Sequence, residues 1–264
     1  MIRKLSILLA LYLVGCSVVP VTGRKQISLV PNSQILPLSF DSYKQVLKEN
    51  KLSTNQTETN MVKNVGVRIK QAVETFMRDQ KLEDQIKDFQ WEFNLLESSQ
   101  VNAFCMPGGK VAFYSGIMPI CKDEAGVAVV MGHEVAHAIA NHGGERMSQG
   151  LIQQFGGVAL AVALNEKPQE TQQLAMAAYG VGSNVLGVLP FSRLHETEAD
   201  KMGLIFMAMA GYNPQEAPAF WERMASQSKG GAPPQFLSTH PAHETRIKDL
   251  QDFMPKAMKY YNKK

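Results

Sequence analysis

The sequence predicts an α+β fold that is mostly helical, with a small sheet beside a histidine-bearing helix. Apolar residues recur at helical spacing along much of the 264-residue chain, which is the main signal for amphipathic helices. Strand-like segments are confined to one region, where an alternating run precedes two short runs joined by Pro107-Gly108-Gly109. A hydrophobic content of 45% can bury one core. We therefore expect one globular domain with accessory segments.

The N-terminus is typical of an exported protein. Arg3 and Lys4 precede a short apolar run that ends at Gly15-Cys16, a pattern of secretion signals, and the run is too short to span a bilayer. Its end, LVGC, resembles a bacterial lipobox, in which the cysteine is lipidated. We predict a signal peptide at 1–15 and a lipid on Cys16; the alternative is a plain signal peptide with an incidental cysteine. By the same resemblance, Ser17 in place of Asp implies an outer-membrane lipoprotein facing the periplasm of a Gram-negative bacterium.

The next segments are predicted from breakers and periodicity. Residues 16–50 are interpreted as a lipid-anchored tether and lead-in, because Pro20, Pro31 and Pro37 interrupt long regular elements. An amphipathic helix is expected from about residue 57, with an apolar face formed by Val62, Val65, Ile69, Val73 and Phe76.

The strand region follows, and it is flanked by two cysteines. WEFNLLES alternates like a strand, and VNAFCMPGGKVAFYSGI reads as a hairpin. Cys105 and Cys121 lie on either side of the second half of this hairpin, and an exported pair can be oxidised. A disulfide and two free thiols are both open.

The rest of the chain is predicted to be helical. Asp123 and Glu124 begin a helix that should continue to about Asn141, with Gly143-Gly144 as its stop. Residues 145–190 should contain a packed helix, not a membrane span. Further helices are expected at about 193–210, after the N-cap Asn213, and from near Pro241.

The segment GHEVAH carries the strongest chemical signal. His133 and His137 are separated by one helical turn, so both rings project from one face. This is the spacing of two ligands on one zinc ion. Glu134 lies beside them, where it can act as general base. The competing interpretation is a core helix that happens to contain histidines.

A catalytic zinc needs a third protein ligand. One class uses a histidine six positions after the second histidine, but Gly143 occupies that position here. In SRLHETEAD, Glu196 and Asp200 share one helical face while Glu198 lies on the opposite side. We therefore predict Glu196 as the third ligand and Asp200 as the acceptor that fixes a ligating histidine. Glu198 is expected on a solvated face, and His142, His195 and His243 are expected not to be ligands.

These motifs together resemble the zinc endopeptidases of peptidase family M48, the family of the CaaX prenyl proteases and the membrane protease HtpX. TGRKQISLV, VNAFCMPGGKVAFYSGI, GYNPQEAPAFWERM and STHPAHETRI occur in the order of that family. The resemblance is closest to its small lipoprotein branch, which lacks spanning helices. It implies a gluzincin-like zincin fold, one zinc ion per chain, a catalytic domain at 51–255 and a tail at 256–264.

The resemblance also implies further roles. Asn102, Ala103 and Phe104 would belong to an edge strand that binds an extended substrate. His240 and Arg246 would stabilise the oxyanion. Arg193 is given no catalytic role.

The function predicted from these features is cleavage of unfolded or misassembled cell-envelope proteins, with possible docking to other envelope proteases or assembly machinery. A lipid-anchored chaperone that uses the same groove without cutting is the alternative, and a cell-wall amidase is a third. Glu134 argues against a pure binder. The net charge of +3 and the absence of a basic patch with interleaved aromatics argue against nucleic acid as a partner.

Overall fold

A computed structural model describes residues 16–165, 167, 169–173, 175, 192–227, 233–241 and 245–261. The predicted signal peptide at 1–15 and His243 lie outside the described residues. The described strands are β1 (Cys16–Val18), β2 (Lys25–Ile27), β3 (Glu92–Leu96), β4 (Ala103–Met106) and β5 (Lys110–Tyr114). The described helices are α1 (Asn32–Glu49), α2 (Gln56–Asp79), α3 (Met118–Cys121), α4 (Glu124–Ile139), α5 (His142–Ala163), α6 (Arg193–Met209), α7 (Glu216–Ser226), α8 (Gln235–Thr239) and α9 (Arg246–Tyr261).

The predicted α+β class is confirmed, and the sheet lies beside the histidine-bearing helix. β5 is the central strand, paired in parallel with β3 and antiparallel with β4, so β4 forms an edge. The predicted hairpin turns at Gly108 and Gly109, both at positive φ, a conformation that glycine adopts without strain. β1 and β2 form a separate antiparallel pair.

The core forms between this sheet and the long helices. The apolar stripe of α2 is fully buried, as its spacing predicts. α4 begins at the N-cap Asp123, whose carboxylate accepts from the N–H of Gly126 at 3.0 Å. Nearly every residue of α4 is buried, so this helix is the centre of the domain.

α4 and α6 approach each other closely because glycines face one another. A Cβ added at Gly132 would lie 2.9 Å from the carbonyl oxygen of Gly203, and one at Gly203 would lie 2.9 Å from the backbone N of His133. Ala199, one turn before Gly203, is also fully buried. The sequence predicted this small-residue face, and it brings the Glu196 side of α6 against the histidines.

The lead-in was predicted to lack long regular elements, but it contains a long helix. α1 runs for 18 residues and contains Pro37, which removes one helical hydrogen bond. The helix persists because Ile35, Leu36 and Tyr43 are buried on its inner face, and tertiary packing overrides local propensity. At the other end of the chain, α9 continues past residue 255, the predicted end of the domain.

Three helix boundaries also differ from prediction. α4 ends at Ile139 because Asn141 adopts the left-handed conformation (φ 55°), and α5 begins at His142 with both glycines inside its first turn. Asparagine tolerates this conformation better than most residues. His240, expected at a helix entrance, instead follows the end of α8.

The prediction of a packed helix at 145–190 is wrong for the described part of α5. Only its first turns are buried, and Phe155, Val158 and Val162 are largely exposed. Apolar content alone does not indicate which residues a segment packs against. Among the described residues, no helix is long and apolar enough to cross a membrane.

Candidate metal centre

His133 and His137 project from α4 as the spacing predicts. Both are buried, and their Nε2 atoms lie 3.1 Å apart. The Nδ1 of His133 is 2.9 Å from Oδ1 of Asp200. A carboxylate can only accept a hydrogen bond, so this contact places the proton of neutral His133 on Nδ1. The Nε2 of His133 therefore presents a lone pair toward His137.

Glu196 extends from α6 toward the two histidines of α4. Its side chain is fully buried, with carboxylate oxygens 3.4 Å from Nε2 of His133 and 3.3 Å from Nε2 of His137. Burial raises the pKa of this carboxyl, but its interactions with the neighbouring imidazoles of His133, His137 and His240 outweigh burial and hold the pKa well below its usual value. Glu196 is therefore an anionic group in the centre of the histidines.

The donor set fits zinc. His133, His137, Glu196 and His240 each bring one ligand atom, and these atoms all lie within 4.8 Å of one another. Oε2 of Glu196 is buried without a hydrogen-bond partner. Convergent imidazole lone pairs and an orphaned carboxylate oxygen are stabilised by a cation, and nitrogen and oxygen donors of this kind suit Zn²⁺.

Asp200 and Arg246 lie behind the donor atoms. Nη2 of Arg246 donates to Oδ1 of Asp200 at 2.7 Å, and Nη1 is 3.4 Å from Oε2 of Glu196. The Arg246 guanidinium is buried over the ring of Trp221, with Cζ 3.2 Å from the ring centroid. The structure thus brings Asp200 to its predicted place. It places Arg246 against the carboxylates of Asp200 and Glu196.

His240 and Glu134 face each other across the centre. Nδ1 of His240 is 3.1 Å from Glu196, and its Nε2 is 3.4 Å from Oε1 of Glu134. Burial raises the pKa of Glu134 to about 7, although His240 and the backbone N–H of Cys105, which donates to this carboxylate, act in the opposite direction. A buried carboxylate beside the metal donors is placed to act as a general base.

A cleft of about 280 Å³ opens beside these residues. One wall is the edge strand β4 together with Asn102 just before it, so it contains the predicted substrate-binding residues Asn102, Ala103 and Phe104. The opposite wall contains Glu134, His137 and His240. The structure therefore brings the predicted base, a predicted ligand and the predicted edge strand to one cavity.

The prediction that Glu198 is solvated is wrong. The residue is 2% exposed because the lead-in crosses this face of α6: Thr22 and Arg24 both donate to its carboxylate, at 2.6 and 2.9 Å. Helical periodicity shows which residues share a face, but not which segment covers that face.

The orientation of His142 also differs from prediction, since its ring does not point away from the histidines of α4. The end of α4 turns it back, so its Nδ1 lies 2.9 Å from Nδ1 of His137. The group of candidate metal donors found among the described residues does not include His142 or His195.

Cys105 and Cys121 are both free thiols, so the predicted alternative of a disulfide is not formed. Burial raises the pKa of each thiol, which keeps both protonated near neutral pH. The side chain of Cys16 lies outside the described residues.

Comparison with known proteins places the chain in one family. The model of peptidase family M48 matches residues 66–254. The mitochondrial metalloendopeptidase OMA1 of Saccharomyces cerevisiae is 32% identical over 96% of this chain and 75% of its own length. The human OMA1 is 28% identical over 94% of this chain and 48% of its own length. The β-barrel assembly-enhancing protease of Escherichia coli is 28% identical over 61% of this chain and 34% of its own length.

These relatives contradict the localisation predicted from the N-terminus. Proteins that match almost the whole chain in yeast and human are named as mitochondrial, which overturns the assignment to the outer membrane of a Gram-negative bacterium. That assignment was based on a short basic and apolar leader that ends at a cysteine. Such a leader indicates that a protein is exported, but it does not identify the compartment.

The zinc-binding donor set, the adjacent carboxylate base and the family match over most of the domain agree with one another. The chain belongs to peptidase family M48 and is a zinc metalloendopeptidase.

Proposed function

We propose that His133, His137 and Glu196 hold the zinc ion, that Glu134 is the general base, and that the substrates are extended segments of unfolded or misassembled proteins. One observation carries the proposal: Glu134, His137 and His240 line a cleft whose wall is an edge strand, and His137 and His240 belong to the same buried donor group as His133 and Glu196.

Zinc bound by these residues supplies a Lewis acid that lowers the pKa of water and polarises a carbonyl group. The residues of the chain perform the proton transfers. Glu134, with its Oε1 buried and without a hydrogen-bond partner, takes a proton from the attacking water and later passes it to the leaving amine. The cleft position of Glu134 gives it access to both groups.

His240 is proposed as the oxyanion donor. It lines the cleft beside Glu134, and a catalytic zinc needs an open position that a fourth protein ligand would fill. Arg246 receives a different role from the one implied by resemblance. Because it contacts Asp200 and Glu196 and does not line the cleft, we propose that it holds those carboxylates in place.

Substrate binding is proposed to occur by strand addition to β4. The backbone N–H of Cys105 points toward Glu134, so the outer edge of this strand faces the catalytic residues. An extended chain that pairs with this edge would place a peptide bond beside Glu134. Main-chain pairing depends little on substrate sequence, which favours unfolded segments as substrates.

An N-methyl scan of a peptide substrate tests this binding mode. In a strand added to a sheet, the N–H groups of alternate residues face the neighbouring strand. We therefore expect methylation at every second residue near the scissile bond to raise KM, with little effect at the residues between. Equal effects at all positions, or no effect at any position, would contradict strand addition.

The finer substrate class, misassembled proteins of the cell envelope, is supported by the relative named a β-barrel assembly-enhancing protease. Binding without cleavage is the less favoured alternative, since a pure binder has no need of a buried Glu134 carboxylate beside the metal donors. Incubation with unfolded protein and with peptidoglycan fragments would separate peptide hydrolysis from amidase activity.

Attachment to a membrane through a lipid on Cys16 is also a proposal, supported by the LVGC sequence. The mass of the N-terminal peptide of the mature protein tests it. An acylated cysteine is expected, and an unmodified Cys16 would exclude the anchor.

A further inference from the structure

A second buried ionic cluster lies directly behind the zinc site, and the mechanism above does not use it. We call it the Arg24 cluster; it consists of Arg24, His142, Glu145, His195 and Glu198. Arg24 donates through Nη1 and Nη2 to the two oxygens of Glu145, at 2.9 and 2.7 Å, and through Nε to Glu198 at 2.9 Å. All the other members are almost completely buried. A cluster with this much buried charge must be satisfied by well-aligned hydrogen bonds.

One branch of the cluster leads to a zinc ligand. Oε2 of Glu198 is 3.2 Å from Nε2 of His142, and Nδ1 of His142 is 2.9 Å from Nδ1 of His137. In the other branch, Nε2 of His195 is 2.9 Å from Oε2 of Glu145, and the ring of His195 stacks on that of His142 with the ring centroids 4.4 Å apart.

The bonds of the first branch determine where the protons lie. A carboxylate only accepts hydrogen bonds, so the neutral ring of His142 carries its proton on Nε2 and donates to Glu198. Its Nδ1 is then an acceptor, and Nδ1 of His137 must be the donor. His137 consequently keeps a lone pair on Nε2, the atom 3.3 Å from Glu196.

We propose that Arg24, Glu198 and His142 are positioning residues that fix the ring orientation and tautomer of His137. They would do for His137 what Arg246 and Asp200 do for His133, with His142 inserted between carboxylate and ligand. The proposal rests on the proposed role of His137 as a zinc ligand. It also makes the Thr22–Arg24 part of the lead-in a component of the metal centre.

Zinc affinity tests the proposal independently of proteolysis. Zinc dissociation constants of full-length variants would be measured by competition with a chromophoric chelator. Loss of such an outer hydrogen bond typically weakens metal binding about 10- to 100-fold, and we expect this for His142→Leu. His142→Asn, whose amide oxygen can replace the Nδ1 acceptor, should restore much of the affinity.

Ser148→Ala is the matched control. Ser148 is buried on the same helix as His142, and its hydroxyl donates to the carbonyl of Gly144 and accepts from the N–H of Leu29, outside the Arg24 cluster, so zinc affinity should stay within about twofold, well below the effect of losing an outer hydrogen bond. Unchanged affinity in a folded His142→Leu protein would overturn the proposal. Failure of the unaltered protein to bind zinc would instead overturn the proposed function.

Nitrogen-15 NMR of the histidine rings gives a second test that needs no substitution. In the zinc-loaded protein, we expect His137 to carry its proton on Nδ1 and His142 on Nε2. A proton on Nδ1 of His142 would contradict the proposal, and this result remains available if a variant does not fold.

Discussion

Glu134→Gln is expected to abolish measurable cleavage of an unfolded protein while zinc binding is retained. Glutamine has the same shape as glutamate but cannot take a proton from water, and loss of a general base costs about 10²- to 10⁴-fold in rate. Glu134 does not contribute an atom to the group of candidate zinc donors. Bound zinc and the rate of casein cleavage would be measured on the same preparation.

Glu124→Gln is the matched control for this substitution. Glu124 is in the first turn of the same helix, and its side chain is 45% exposed, unlike the buried side chain of Glu134. Its substitution should leave both the rate and the zinc content unchanged. If Glu134→Gln kept the wild-type rate, Glu134 could not be the base.

Glu196→Ala is expected to have the second large effect, loss of bound zinc together with activity. Glu196 contacts His133, His137 and His240, and its removal leaves three imidazoles without the anion that balances a divalent cation. Glu196→Gln keeps the shape and removes the charge, so it separates the loss of a ligand from a packing defect. Zinc content after dialysis against a weak chelator measures both variants.

Thr197→Ala provides the comparison for Glu196. Thr197 is the next residue of α6, and its hydroxyl donates only to the carbonyl of Arg193 among its described bonds. Zinc content equal to that of the unaltered protein is expected for Thr197→Ala. Full zinc occupancy in Glu196→Gln would exclude Glu196 as a ligand.

Much of the site could be predicted because it depends on local periodicity. The i, i+4 spacing determines that His133 and His137 share a face of α4, and the same rule separates Glu196 from Glu198. The small residues Ala199 and Gly203 indicated which helix face approaches α4. These features depend on residues that are close in the chain.

The errors in prediction arose where distant segments meet. Glu198 lies on the opposite face from Glu196, yet the lead-in covers that face through Thr22 and Arg24. The orientation of His142 was predicted wrongly because the left-handed residue Asn141 changes the direction of the chain after α4. Such contacts depend on tertiary packing, which helical periodicity does not encode.

Local sequence patterns also do not predict that His240 and Arg246 lie close to α4. They follow α8 and begin α9, respectively, and only a family resemblance suggested their proximity. The structure supports that proximity but separates their positions, with His240 in the cleft and Arg246 behind Asp200.

Digestion of unfolded casein by the full-length protein, read as a peptide map by mass spectrometry, tests the central claim most directly. The same digest would be repeated after a chelator is added and again after zinc is restored. We predict cuts within the chain that disappear with the chelator and return with zinc. Cleavage that is insensitive to chelation, or release of terminal residues alone, would contradict a zinc-dependent endopeptidase.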